Sequence, residues 1–149
     1  IVMSDFKLTN KIDLSILNPY DVKLGNEYMD NLISTALSII PLAFTMIGTE
    51  LEVVRAFYPK SRLEVDIGDR ANAYDKKYTY GLALSFNWKS FTENSAIRIA
   101  IDMFDTLSEA GLHIVIDPYK EELRLYRKMK DRKVFIITSI DNKKKIIKS

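Results

Sequence analysis

Two stretches of helical periodicity, each bordered by short runs of β character, constrain this chain more than any other feature of its sequence. From residue 26 to 47, Tyr28, Leu32, Ile33, Leu37, Ile40, Phe44 and Ile47 recur at three- and four-residue spacing, the mark of a helix with one apolar face. Asn26 is placed to cap its start and Gly48 to stop it, while Pro41 predicts a kink or a break. A second helix is expected over residues 92–110, capped by Thr92 or Asn94 and stopped by Gly111. Its apolar stripe is read as Ile97, Ile101, Phe104 and Leu107 or Leu112.

Between and after the helices the pattern turns to β. Residues 50–58 read as a strand ended by Pro59, and residues 63–68 alternate apolar and acidic side chains like a half-exposed strand. Residues 69–77 are polar and read as loop. Residues 78–88 form the clearest central strand, where Gly81 signals a close backbone approach or a bulge. Three short strands follow at 112–117, 122–128 and 133–140, the first two joined by a turn at Pro118-Tyr119-Lys120-Glu121. Residues 1–25 lack sustained periodicity but contain a turn at Asn18-Pro19-Tyr20-Asp21. Helix, strands, helix and strands again, with no regular βαβ alternation, predict an α+β fold of two main helices on a mostly antiparallel sheet. At 149 residues, one domain is expected over 1–140, followed by a basic tail over 141–149.

The absence of cysteine excludes disulfides and thiolate chemistry. The most apolar run, residues 32–46, is broken by Ser34, Thr35, Ser38, Pro41 and Thr45 and is too short for a comfortable membrane span. No basic segment precedes an apolar stretch at the start, so no signal peptide is expected. The expected location is cytoplasmic or virion-associated, without a membrane. The net charge of +2 conceals an asymmetry: residues 127–149 carry nine Lys/Arg against two Asp/Glu, a net +7 that leaves −5 on residues 1–126. Such an end either contacts an acidic partner or is a solvated tail.

The chemistry available is sparse. The five glycines are isolated and make no phosphate-binding loop. His113 is the only histidine, which starves a multi-histidine zinc site, and it reads as structural or half-exposed. Glu64, Asp66 and Asp69, and Asp102 with Asp105, are carboxylates of the kind that hold Mg²⁺ or Ca²⁺ or act as an acid/base pair. However, Glu64 and Asp66 fit the solvent face of a strand, and Asp102, Asp105 and Glu109 the polar face of the helix. Arg124, Arg127, Lys128, Lys130, Arg132, Lys143, Lys144 and Lys145 form the candidate contact with nucleic acid or an acidic partner, with Tyr126 interleaved.

One segment order is similar to a known family. A helix at 26–47 leads into a strand and loop at 53–58. Lys76, Tyr78, Gly81, Ala83 and Ser85 follow at the spacing S-x-H-x-x-G-x-A-x-D, then a helix and a late strand at 123–126. Over residues 26–128 this order resembles the zinc peptidases of the D-alanyl-D-alanine carboxypeptidase group, which includes VanY-type enzymes and phage endolysin domains. Gly81 and Ala83 keep the small residues of the motif, whereas Tyr78 stands at the first histidine ligand, Ser85 at the aspartate and Lys76 at the serine. A phenol and a hydroxyl do not supply zinc ligands at neutral pH. The resemblance therefore implies a scaffold without catalysis, metal or cofactor. It implies a structural or protein-interaction module among other protein subunits, such as a phage virion component. Tyr78, Tyr80, Ser85 and Trp88 would mark its interface or vestigial cleft. A nucleic-acid-binding accessory role for the basic end is the alternative expectation.

Overall fold

The computed structural model describes residues 7–9, 12–38, 52–71, 73–87, 92–109, 111–116, 122–124, 127–129 and 133–139. In chain order these form β1 (Lys7–Thr9), β2 (Ile12–Asp13), α1 (Leu14–Leu17), α2 (Asn26–Leu37), β3 (Val53–Arg55) and α3 (Lys60–Asp66). A 3-10 turn (Gly68–Arg70) leads to α4 (Ala73–Tyr78), β4 (Ala83–Asn87), α5 (Glu93–Glu109) and β5 (Leu112–Ile116). The hairpin β6 (Glu122–Arg124) and β7 (Arg127–Met129) precedes β8 (Val134–Ser139). The Pro41 kink, the Gly48 stop, the turn at 118–121 and the tail at 141–149 lie outside the described residues.

The fold is α+β. Its main sheet has the order β3-β4-β8-β5, with antiparallel neighbours throughout. β4 pairs with β8 from Ala83↔Thr138 to Asn87↔Val134, and β5 pairs with β8 from Leu112↔Ser139 to Ile116↔Phe135. Alternate residues face opposite sides. Leu84, Phe86, Phe135, Ile137 and Leu112 pack against Leu32, Ile33 and Ala36 of α2 and Ala96, Ile99, Met103 and Leu107 of α5. On the other side, Ala83, Val134 and Ile136 meet Val54, Tyr58, Leu63 and Tyr78. The sheet is therefore covered on both faces, which explains why Val134-Phe135-Ile136-Ile137 reads as an unbroken apolar run. Each large apolar side chain so buried contributes about 1.5–3 kcal/mol.

Several boundaries depart from the sequence reading. Residues 63–68 are not a strand: α3 starts directly after Pro59 and buries only Leu63, leaving Val65 74% exposed. Alternation had no second face to report, and a proline at a helix start was the signal that mattered. The 69–77 segment is not a loop but carries the 3-10 turn and most of α4. Tyr78 ends α4, so the central strand begins only at Ala83. The strand at 50–58 contracts to Val53–Arg55, and 122–128 is two strands rather than one. Asn26 is the first residue of α2, and Gly25 takes the extended cap position without a side-chain bond.

The stripe on α5 also differs. Ala96, Ile99, Met103 and Leu107 face the sheet, while Ile97, Ile101 and Phe104 stand in solvent at 42%, 68% and 56% exposure. The helix carries two apolar rows at legitimate helical spacing, and the sheet covers one of them.

Gly81 makes the close approach its position suggested. Its φ is +72°, and a Cβ there would lie 3.1 Å from both the Leu32 nitrogen and the Tyr28 oxygen of α2. The same contact is tied by side chains. Asn31 Nδ2 donates to the Tyr80 carbonyl at 3.2 Å, and the Thr35 hydroxyl lies 3.0 Å from the Gly81 carbonyl. The Tyr28 and Tyr80 rings stack with centroids 6.3 Å apart.

Candidate functional site

The most polar interior lies on the sheet face covered by α3 and α4. Arg55, in an otherwise apolar run, is only 1% exposed, and its NH1 donates to Asp75 Oδ1 at 2.8 Å. A register irregularity between Val53 and Arg55 accompanies this placement, since a bulge re-aims the side chain that follows it. Asp75 comes from the first turn of α4, where a carboxylate also suits the helix dipole. The guanidinium lies 3.9 Å from the Tyr78 ring centroid and 5.3 Å from that of Tyr58. Tyr58 meets Tyr20 edge-on and its hydroxyl donates to Asp66, which also pairs with Arg62 at 3.5 Å. A buried cation, a carboxylate and two rings thus join β3, α3 and α4 into one unit.

Tyr78 and Ser85 both belong to this interior. Ser85 is the register partner of Arg55 on β4, and both Tyr78 and Ser85 are fully buried. Their common neighbour is a cation, which has no use for metal-ligand geometry. Among the described residues, no group of three His, Asp or Glu side chains is arranged to hold a metal ion. Tyr80 is half-buried against Tyr28 on the α2 side. Trp88, Lys130, Arg132, Lys143, Lys144 and Lys145 lie outside the described residues.

At the β5 end of the same face, His113 stands opposite Thr138, and Lys77 of α4 approaches from above. Burial lowers the Lys77 ammonium below its ordinary range. Burial first, and then the positive charge of Lys77, also lower the His113 imidazole. Thr138 Oγ1 is fully buried and has no hydrogen-bond partner among the described residues, as is true of Ser85 Oγ. Lys77 and Thr138 were not legible as site residues, because Lys77 falls at a variable position of the 76–85 pattern and Thr138 in no motif.

Two surfaces complete the candidates. Ile97, Ala100, Ile101 and Phe104 of α5 form an apolar groove with Ile114 and Ile116 of β5, bordered by Asp105. The β6–β7 hairpin sets Arg124 opposite Arg127 and Lys128 opposite Leu123. Among the described residues, no helix is long and apolar enough to cross a membrane.

Comparison with known proteins adds no name: no family model, curated protein or solved structure matches this chain.

Proposed function

We propose that this domain works through a surface rather than a reactive centre, as a self-associating structural subunit whose contact face is the α5–β5 groove. The observation that carries this reading is the exposed row Ile97, Ile101 and Phe104, lying beside the outermost strand of the sheet. Large apolar side chains clustered in one groove favour removal from water. The row is also self-complementary. When two copies of α5 cross antiparallel between Ala100 and Ile101, Ile97 of each falls opposite Phe104 of the other. Arg98 and Asp105 share one flank of the helix, and in an antiparallel pair that flank meets itself. Arg98 of each copy then faces Asp105 of its partner. This deepens the expectation of a subunit in a protein assembly, a virion component included, and it uses the scaffold without peptidase chemistry.

Sedimentation velocity tests the reading. A concentration-dependent dimer is expected, and Ile101→Glu should leave a folded monomer. Arg98→Asp or Asp105→Arg alone should weaken association about tenfold, since two symmetric surface pairs of up to about 1 kcal/mol each are lost, and the double exchange should restore it. A monomer at every accessible concentration would refute the proposal.

The basic hairpin supports a second reading. Arg124 and Arg127 are register partners there, and basic residues neutralise nucleic-acid phosphates. Binding to labelled duplex DNA should then weaken steeply with salt and vanish in the Arg124→Glu/Arg127→Glu variant. Failure to bind at low ionic strength rules it out.

A further inference from the structure

The β5 end of the inner sheet face brings together three groups that the association proposal leaves unused. His113 and Thr138 are cross-strand register partners, so their side chains share a face. Lys77 enters from α4, which packs over β4 and β8, and it is buried despite its charge. Thr138 Oγ1 is fully buried with no hydrogen-bond partner among the described residues. Such an atom calls for an explanation, and a bound ion is among the usual ones.

Among the described residues, the charges on and around the elements that meet His113 can be named. On its own face they are Lys77 and Asp75 from α4 and Arg55 from β3, and Asp75 is engaged by Arg55. β8 contributes the uncharged Thr138 beside it. α5 packs against β5 from the opposite face, where Asp102 and Asp105 are exposed. His113 therefore meets a cation and a hydroxyl without an acidic partner among the described residues of its own face other than the Arg55-bound Asp75.

We propose that Lys77, His113 and Thr138 form a binding site for a small oxyanion, held by the ammonium, the imidazolium and a donated hydroxyl. Charge-assisted hydrogen bonds of this kind are the strong ones. The anion reverses the unfavourable electrostatics that now hold Lys77 and His113 below their ordinary protonation ranges.

Because His113 is the only histidine, its ring resonances in an NMR titration report the site without assignment ambiguity. The titration is run in chloride, inorganic phosphate and acetate at matched ionic strength. Phosphate should raise the His113 pKa by about one pH unit and saturate, a tenfold preference for the protonated site. A response to phosphate alone identifies a phosphate-type ligand, and a response to acetate identifies a carboxylate; either supports the site. Thermal melts add a second readout. The fold disfavours the imidazolium, so stability is retained above 6.5, the ordinary histidine value, and falls as pH drops through the lower folded one. Phosphate should reduce that fall.

Thr138→Val removes a hydroxyl that makes no hydrogen bond among the described residues, so it should stay folded while losing the anion response. Lys77→Met should raise the His113 pKa in chloride and abolish the phosphate effect. Identical His113 titrations in all three anions would sink the proposal, and so would a phosphate shift that survives in both variants. Neither outcome depends on the α5 groove, so this site and the association surface are judged separately.

Discussion

Asp75→Ala is expected to remove about 3–5 kcal/mol of stability, the cost of breaking a buried ion pair from one side. Arg55 is buried beside Tyr58, Tyr78 and Asp75, so removing the carboxylate takes a charged partner from a cation that is only 1% exposed. A domain of this size holds only about 5–15 kcal/mol in total, so the loss is a large fraction of it. Urea denaturation followed by circular dichroism gives the number. The pair itself contributes less than the single variant suggests, because both partners lost hydration on burial. The double variant Arg55→Met/Asp75→Leu should accordingly recover most of the stability lost in Asp75→Ala. If Asp75→Ala costs no more than a surface substitution, about 0.5 kcal/mol or less, the pair is solvated and the closed polar interior is wrong.

Gly81→Ala should destabilise the fold by about 2–4 kcal/mol, combining a left-handed backbone penalty with overpacking. The atoms in the way belong to the α2 backbone at Leu32 and Tyr28, which cannot swing aside as a side-chain tip can. Gly68 offers the internal control. Its φ is +62°, but a Cβ there meets nothing within 4 Å. Gly68→Ala should therefore show the backbone penalty alone, about 1–2 kcal/mol. The difference between the two variants measures how tightly α2 sits on the turn. Equal losses would mean that this contact is looser than the geometry indicates.

The sequence carried the fold class and the long elements well, for physical reasons. α5 announced itself by sustained periodicity and the glycine after it, and β4 and β8 by apolar runs that need a sheet buried on both faces. Gly81 was readable because a glycine inside a strand-like run has few other uses. α3 was missed because a seven-residue helix burying only Leu63 has too little periodicity to outvote a chance alternation. The α5 stripe was right at Leu107 but placed Ile97, Ile101 and Phe104 on the covered row, because periodicity names the angle between residues and not which face the sheet will cover. The polar interior was hidden for a different reason. Arg55 and Asp75 are 20 residues apart, and only tertiary structure joins them. One signal was present, a lone arginine within Val53-Val54-Arg55-Ala56-Phe57-Tyr58, since a charge in such company must be compensated.

The strand order has a consequence for how the chain reaches this state. β8 is the last of the described strands to be synthesised, yet it lies between β4 and β5 at the centre of the main sheet. Before Val134–Ser139 exists, β5 has no neighbour in that sheet and β4 has only β3. Phe135 and Ile137 are then missing from one core, and Val134 and Ile136 from the other. A growing chain can form its helices as it emerges, but both layers must wait for the same six residues. Folding of this domain is therefore tied to completion of β8, which acts as a keystone set after the arch is already drawn.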